Sequence, residues 1–374
     1  MIIPLLVLVA VCALAHQVDD TTSNGTEFAG TKYLAPISTV PIPAGPIYPW
    51  IVNPLLAQVD VNHITTFLTQ LTMFPERFYK SQNGVNAAKW IADHVKALPV
   101  AKGTKLTVSY FNHTAFIQPS VIARYENTHT SNLTATVIVG THFDTIAQHS
   151  PLGIGGPNPA ADDCASGSAS VFEALRVLTS SGWVPGHAIE FHWYAAEEEM
   201  IQGSKEISQA YANNGTQVIA YLNVDQTGYV MPGTTPQIGI FVDFTTPQAT
   251  KFLSATVAAY SGLGQVGNQK CVSECSDHTG WFQAGYQTAF AFEAEKKYGF
   301  PNIDVVNPDG TPLDTLEFIN MTHVAVFAKN TIGFVVELSL VGTVNGTVSS
   351  SSLRTAATSP IVLLGLLLFG VLLG

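Results

Sequence analysis

Positive charge is what this chain of 374 residues has least of: 16 Lys and Arg stand against 27 Asp and Glu, and charged residues of both signs make up only 11%. So few cations cannot assemble a basic face, which excludes the electrostatic footprint of a nucleic-acid-binding protein. Cysteine is almost as scarce. There are four, too few for a disulfide-stapled mini-scaffold. Cys12 lies in an apolar N-terminal run and would leave with it. In an oxidising compartment Cys271 and Cys275, four apart in a turn-like segment, can close a small loop, and Cys164 is then unpaired. No internal repeat and no heptad pattern is present, so solenoids and coiled coils are excluded. What the chain does have is apolar mass: 47% hydrophobic residues, enough for one large domain with a substantial core.

The two ends read as targeting segments. Residues 2–15 (IIPLLVLVAVCALA) form a short hydrophobic run followed by His16 and polar sequence, the pattern of a signal peptide without its usual basic start. Residues 361–374 (IVLLGLLLFGVLLG) are apolar to the last residue. As a helix that run spans about 21 Å, short of a hydrocarbon core of about 30 Å. A polar spacer with Arg354 and the small residues Ser349, Ser350, Ser351 and Ser352 precedes it, in the order of a GPI-attachment signal. A single C-terminal membrane helix is the alternative. The expected organisation is a signal peptide at 1–16, a Pro-rich arm or propeptide at 17–49, a folded domain at 50–342, and a spacer with the attachment signal at 343–374. Asn24, Asn112, Asn132, Asn214, Asn320 and Asn345 each begin an Asn-x-Thr triplet. Together with the signal peptide they predict an extracellular glycoprotein, lipid-anchored to the membrane or secreted.

Between the ends, strand-like and helix-like segments alternate. Strands are predicted at 135–142 (ATVIVGTH), 188–195 (AIEFHWYA), 218–224 (VIAYLNV) and 288–292 (TAFAF), all mostly apolar and rich in β-branched or aromatic residues, as strands buried on both faces are. Helices are predicted at 59–73, 85–98, 166–180, 200–212, 247–260 and 323–338, with Pro247 suited to a first helical position behind Thr246. The pattern implies an α/β fold: a single globular domain with a central, mostly parallel mixed sheet flanked by helices.

The acidic and imidazole residues fall where such a sheet binds ligands, at the carboxyl ends of its strands. His142 and Asp144 end the first strand, Glu197 and Glu198 follow the second, and Asp225 closes the third. Asp162 and Asp163 precede a helix, and His278 opens a turn. Each has a bland reading taken alone. Asp162 and Asp163 suit a helix N-cap, the glutamates a solvated helix start, His142 a core histidine and Asp225 a turn. Jointly, in a chain so poor in charge, they would repel one another unless a cation compensated. Imidazole with carboxylates suits zinc, and two ions sharing one carboxylate form a known hydrolytic arrangement.

The segments GTHFDT (140–145), PAADDCASG (159–167), YAAEEEMIQGS (194–204), LNVDQTGY (222–229) and CSDHTGW (275–281) together resemble the M28 zinc aminopeptidases, a co-catalytic di-zinc group that includes leucyl aminopeptidases. The resemblance covers roughly residues 130–295 and implies a zinc-exopeptidase fold and hydrolysis of peptides with a free N-terminus. By that resemblance Asp163 bridges two Zn²⁺, Glu198 and His278 complete one site, His142 and Asp225 complete the other, Glu197 is the general base and Asp144 orients His142. It also implies the Cys271–Cys275 disulfide. Two departures stand out. Cys164 replaces a third Asp of the family, and a His-Thr pair common after the last strand is Asp304-Val305 here. One rival reading is a single-zinc glutaminyl cyclase on the same scaffold. Another is a catalytically inactive receptor or adhesion ectodomain, which should have lost a ligand or the base, and none of the residues named above is missing.

Overall fold

The computed structural model describes residue 38, residues 40–129 and residues 133–343. The predicted signal peptide, most of the arm, the attachment signal and the sequons at Asn24, Asn132 and Asn345 lie outside the described residues. Asn112, Asn214 and Asn320 are all exposed. Among the described residues no helix is long and apolar enough to cross a membrane.

An eight-stranded sheet forms the middle of the domain. Its strands are β1 (Thr104–Phe111), β2 (Ser120–Asn127), β3 (Thr136–His142), β4 (Ala188–Tyr194), β5 (Val218–Val224), β6 (Gln237–Phe241), β7 (Gly264–Gln269) and β8 (Thr288–Phe292), in the order β1-β2-β4-β3-β5-β8-β6-β7. The run β4-β3-β5-β8 is parallel, while β1 with β2, β2 with β4 and β6 with β8 pair antiparallel. Every residue of β3, β4, β5 and β8 is buried. That is why these strands read as continuous apolar runs, each side chain meeting a helical layer whichever face it points to.

On one face pack α1 (Pro49–Leu56), α2 (Val61–Leu71), α4 (Gly167–Ser180), α6 (Pro247–Tyr260) and α8 (Met321–Ser339), all contributing to one large apolar core. Helix α3 (Gln82–Lys96) joins that core beside β1 and β2. Helices α5 (Gln202–Asn213) and α7 (His278–Gln283) pack together, and Ile207 and Trp281 meet Tyr194, Tyr221 and Ile138 in a second cluster. The caps follow local chemistry. Asp60 and Ser81 cap α2 and α3 by accepting from Asn62 N and Gly84 N, and Asn320 Oδ1 caps α8 through Thr322 N and His323 N, each satisfying donors that a helix start leaves free.

The crossovers β3-α4-β4 and β4-α5-β5 bring the carboxyl ends of β3, β4 and β5 to one edge. A buried arginine ties the turns there. Arg77 donates to Phe143 O at 2.6 Å, Pro159 O at 2.5 Å and Ala160 O at 3.1 Å, so one guanidinium satisfies carbonyls of two separate turns. Burial lowers its pKa to about 10, which leaves it charged at neutral pH.

Candidate active site

His142 is the last residue of β3 and is 1% exposed. Its Nε2 donates to Asp163 Oδ1 at 2.8 Å and lies 3.4 Å from Asp225 Oδ1. On the ring's other side Nδ1 is 3.5 Å from Asp144 Oδ1, longer than a hydrogen bond, and it has no other partner. Both Asp144 oxygens accept backbone donors, Glu197 N at 2.9 Å and Glu198 N at 3.3 Å. Asp144 therefore fixes the glutamate turn as well as facing the imidazole. Asp163 lies in the irregular turn Ala161–Ser166 before α4, where Asp163 and Cys164 leave helical geometry. Asp314 holds that turn, its two oxygens accepting Asp162 N at 2.9 Å and Asp163 N at 3.0 Å. Neither Asp162 nor Asp163 caps α4. Asp162 Oδ1 instead accepts Gly228 N at 2.8 Å. Gly167 has to be glycine, because a Cβ there would sit 2.5 Å from Cys164 Sγ and 2.9 Å from Val224 O.

Among the described residues two groups of metal-competent atoms result, each with its atoms within 4.8 Å of one another: His142, Asp163, Cys164 and Asp225; and Asp163, Glu198 and Asp304. Asp163 belongs to both. Asp225 Oδ2 is taken by Ser276 Oγ at 2.6 Å, leaving Oδ1 free toward His142. Glu198 Oε1 and Asp304 Oδ1 are likewise buried without a partner. Unpaired buried oxygens are costly and rare in folded proteins, and here they converge. Tetrahedral zinc with bonds of about 2.0–2.1 Å separates its donors by about 3.3 Å, close to the His142–Asp225 distance. The donor set and its orphaned oxygens fit a bound cation.

The electrostatics agree. Burial raises the carboxyl of Asp163 well above its usual value, with Asp225 pushing the same way and His142 opposing. Burial also raises Glu198, aided by Asp304 and Asp163, and raises Asp304. Glu197 is raised by burial, with His142 opposing and Asp225, Asp277 and Asp163 adding to the rise. Burial alone would hold His142 neutral, but Asp225 and Glu197 pull its pKa well above the usual value, so the imidazolium acts as counter-charge to the carboxylates. A bound cation would take over that role in place of the proton. Cys164 is pushed up to about 12 by burial and the neighbouring Asp225. Thr141 Oγ1 lies 3.3 Å from its sulfur and Gln226 N donates to it at 3.4 Å, the setting of an inert thiol rather than a reactive thiolate.

His142, Asp144, Asp163, Glu197, Glu198 and Asp225 thus come together at one edge; His278 does not join them. It starts α7, fully buried, with Nε2 at 3.2 Å from Asp243 O and its ring 4.6 Å from that of Phe290. Burial depresses its pKa to about 4, as befits a neutral core histidine. The segment reaches the cluster through Ser276 instead. Asp277 between them is αR, and at about 100° per helical residue, side chains two apart point to nearly opposite sides. Asp304 occupies the position expected of His278, and the sequence signal was the departure from the family's His-Thr pair at 304–305. Arg77, Asp314 and Ser276 gave no local signal, since each acts through contacts distant in sequence. The Cys271–Cys275 disulfide is formed.

A mainly parallel sheet with imidazole and carboxylates gathered at its strand ends defines a metal-dependent hydrolase of the zinc-exopeptidase type. The chain belongs to peptidase family M28, whose model matches residues 120–335. Leucine aminopeptidase 1 of Pyrenophora teres f. teres is 34% identical over 329 residues, covering 86% of this chain and 81% of that one. The crystal structure of LapB from Legionella pneumophila superposes with a TM-score of 0.71 at 28% identity, covering 81% and 79% of the two chains. A glutaminyl cyclase from Bacteroides thetaiotaomicron, with a TM-score of 0.56 at 15% identity over 74% of this chain and 98% of that one, shares the fold. The protein is a zinc-dependent aminopeptidase in class, a hydrolase of peptide bonds.

Proposed function

We propose that this chain is an extracellular aminopeptidase that binds two metal ions and removes N-terminal residues from peptides, with Glu197 as general base. The observation that carries the reading is the pair of donor groups sharing Asp163, with Glu197 a member of neither yet within electrostatic reach of His142, Asp225 and Asp163. His142, Asp163 and Asp225 would hold one ion, and Asp163, Glu198 and Asp304 the other. When bound, the ions would polarise the scissile carbonyl and acidify water. Glu197 takes the proton of the attacking water and returns it to the leaving amine, tasks suited to a carboxyl whose pKa burial has raised. Asp144 holds the backbone of Glu197 and Glu198 in place, and Ser276 fixes the rotamer of Asp225. The surrounding carboxylates favour a substrate's free α-ammonium, which confines cleavage to the first peptide bond.

Aminoacyl-amides with free amines should be hydrolysed and their N-acetyl analogues left intact. Turnover of the acetylated series would overturn exopeptidase specificity. Ring closure of N-terminal glutaminyl substrates without hydrolysis would establish the cyclase alternative, and an inert, metal-loaded protein the non-enzymatic one. The apolar run at 361–374 behind its serine-rich spacer supports a lipid anchor on the outer membrane face. Phosphatidylinositol-specific phospholipase C should release active protein from cells, whereas activity retained on membranes after complete digestion would sink this localisation.

A further inference from the structure

The two donor groups are chemically unequal. One offers an imidazole nitrogen with two carboxylates and lies beside a thiol; the other, Asp163, Glu198 and Asp304, offers carboxylate oxygen alone. Asp304 is 8% exposed, its Oδ1 has no hydrogen-bond partner, and it is aimed at Glu198 and Asp163. Its backbone is fixed as well. Gln148 N donates to Asp304 O at 2.6 Å, and φ is 62°, a left-handed conformation that Asp, Asn and His tolerate better than other side chains. Imidazole favours zinc, whereas carboxylate and water suit manganese, magnesium and calcium.

We infer that the two sites differ in metal preference: the His142 site holds zinc, whereas the all-carboxylate Asp304 site exchanges zinc readily for a harder divalent ion, of which Mn²⁺ is the probe of choice. The inference rests on the two-ion reading above and adds what Asp304 does to it. Zinc still outranks manganese at any given ligand set. The claim therefore concerns the margin, which narrows when the nitrogen donor is absent, so that the Asp304 site releases zinc first and exchanges it for manganese while the His142 site does not.

The full chain, stripped by chelator and reloaded with one equivalent of zinc, should bind one further equivalent of Mn²⁺, seen as loss of the free-ion electron paramagnetic resonance signal. Elemental analysis should show the zinc retained. Asp304→His, which preserves the backbone preference while supplying an imidazole, should tighten zinc at the second site by about tenfold or more, so that about tenfold less zinc than in the wild type suffices to expel the manganese. Asp304→Asn, equally at home at this φ, should weaken the second ion of either kind while thermal unfolding of the metal-free form is unchanged, which separates ligand loss from misfolding. Two zincs of equal affinity in the wild type, with manganese excluded, would overturn the inference and leave the two-ion reading intact. Saturation at a single ion of either kind would overturn both.

Discussion

Glu197→Gln should lower kcat by about 10²- to 10⁴-fold, the range of a general base, with metal content and thermal stability hardly altered. The amide keeps the shape and removes the proton acceptor, and the donor groups on either side stay complete because Glu197 belongs to neither. Glu198→Gln should behave differently, losing metal and activity together, since its Oε1 faces Asp163 and Asp304 with no other partner. Turnover assays beside elemental analysis of both variants separate the roles. An E197Q enzyme with full metal and near-normal turnover would sink the base assignment, and one that had lost metal would show the two glutamates exchanged.

Asp163→Ala should abolish binding of both ions and bring turnover down by at least about 10³-fold, because several kcal/mol of charge stabilisation goes with the metals. Asp225→Ala should chiefly weaken the His142 site. The fold itself should survive. In the metal-free protein burial and the neighbouring Asp225 disfavour the charged Asp163 carboxyl and His142 offsets this only in part, so its loss should cost the fold little. Ion counts per chain for the two variants check this. Asp163→Ala retaining one tightly bound ion, or wild-type protein fully active with one, would show that Asp163 does not bridge.

The sequence and the structure agree best where burial leaves no choice. Strands β5 and β8 and helix α6 have the expected limits, because both faces of those strands are covered and Pro247 marks the first turn of α6. Strand β4 ends one residue early, so Glu197 and Glu198 lie in a turn near the left-handed Ala196 and not on an extended strand end. Asp144 holds that turn by accepting from Glu197 N and Glu198 N. The strands absent from the sequence expectation are β1, β2, β6 and β7. Strand β1 is exposed or half-buried along its length at the sheet edge, β7 (GQVGNQ) is polar at the other edge, and β2 carries Arg124 and Glu126, so these lack the unbroken apolar run that marks an inner strand; β6 (QIGIF) is apolar and buried but only five residues long, with a glycine in its middle. Helix α1 was obscured by Pro49 and Pro54 within a Pro-rich stretch. Of the site, the residues at strand ends were legible because position relative to a predictable strand located them. His278 was misplaced because adjacency within a motif does not say which way a helical side chain turns, and Asp304 sits in a loop where no periodicity could place it.

Arg77 lies well before residue 120, where the match to the family begins, yet its guanidinium joins Phe143 to Pro159 and Ala160. Excising the matched segment would strand those three carbonyls at about 1–3 kcal/mol each and loosen the turns that carry Asp144 and Asp163. The stretch that the family model matches is thus shorter than the stretch that can exist alone. Any truncated form, natural or made for crystallisation, has to keep the chain from α3 back through Arg77, and the helices there act as a brace for chemistry performed by residues far downstream.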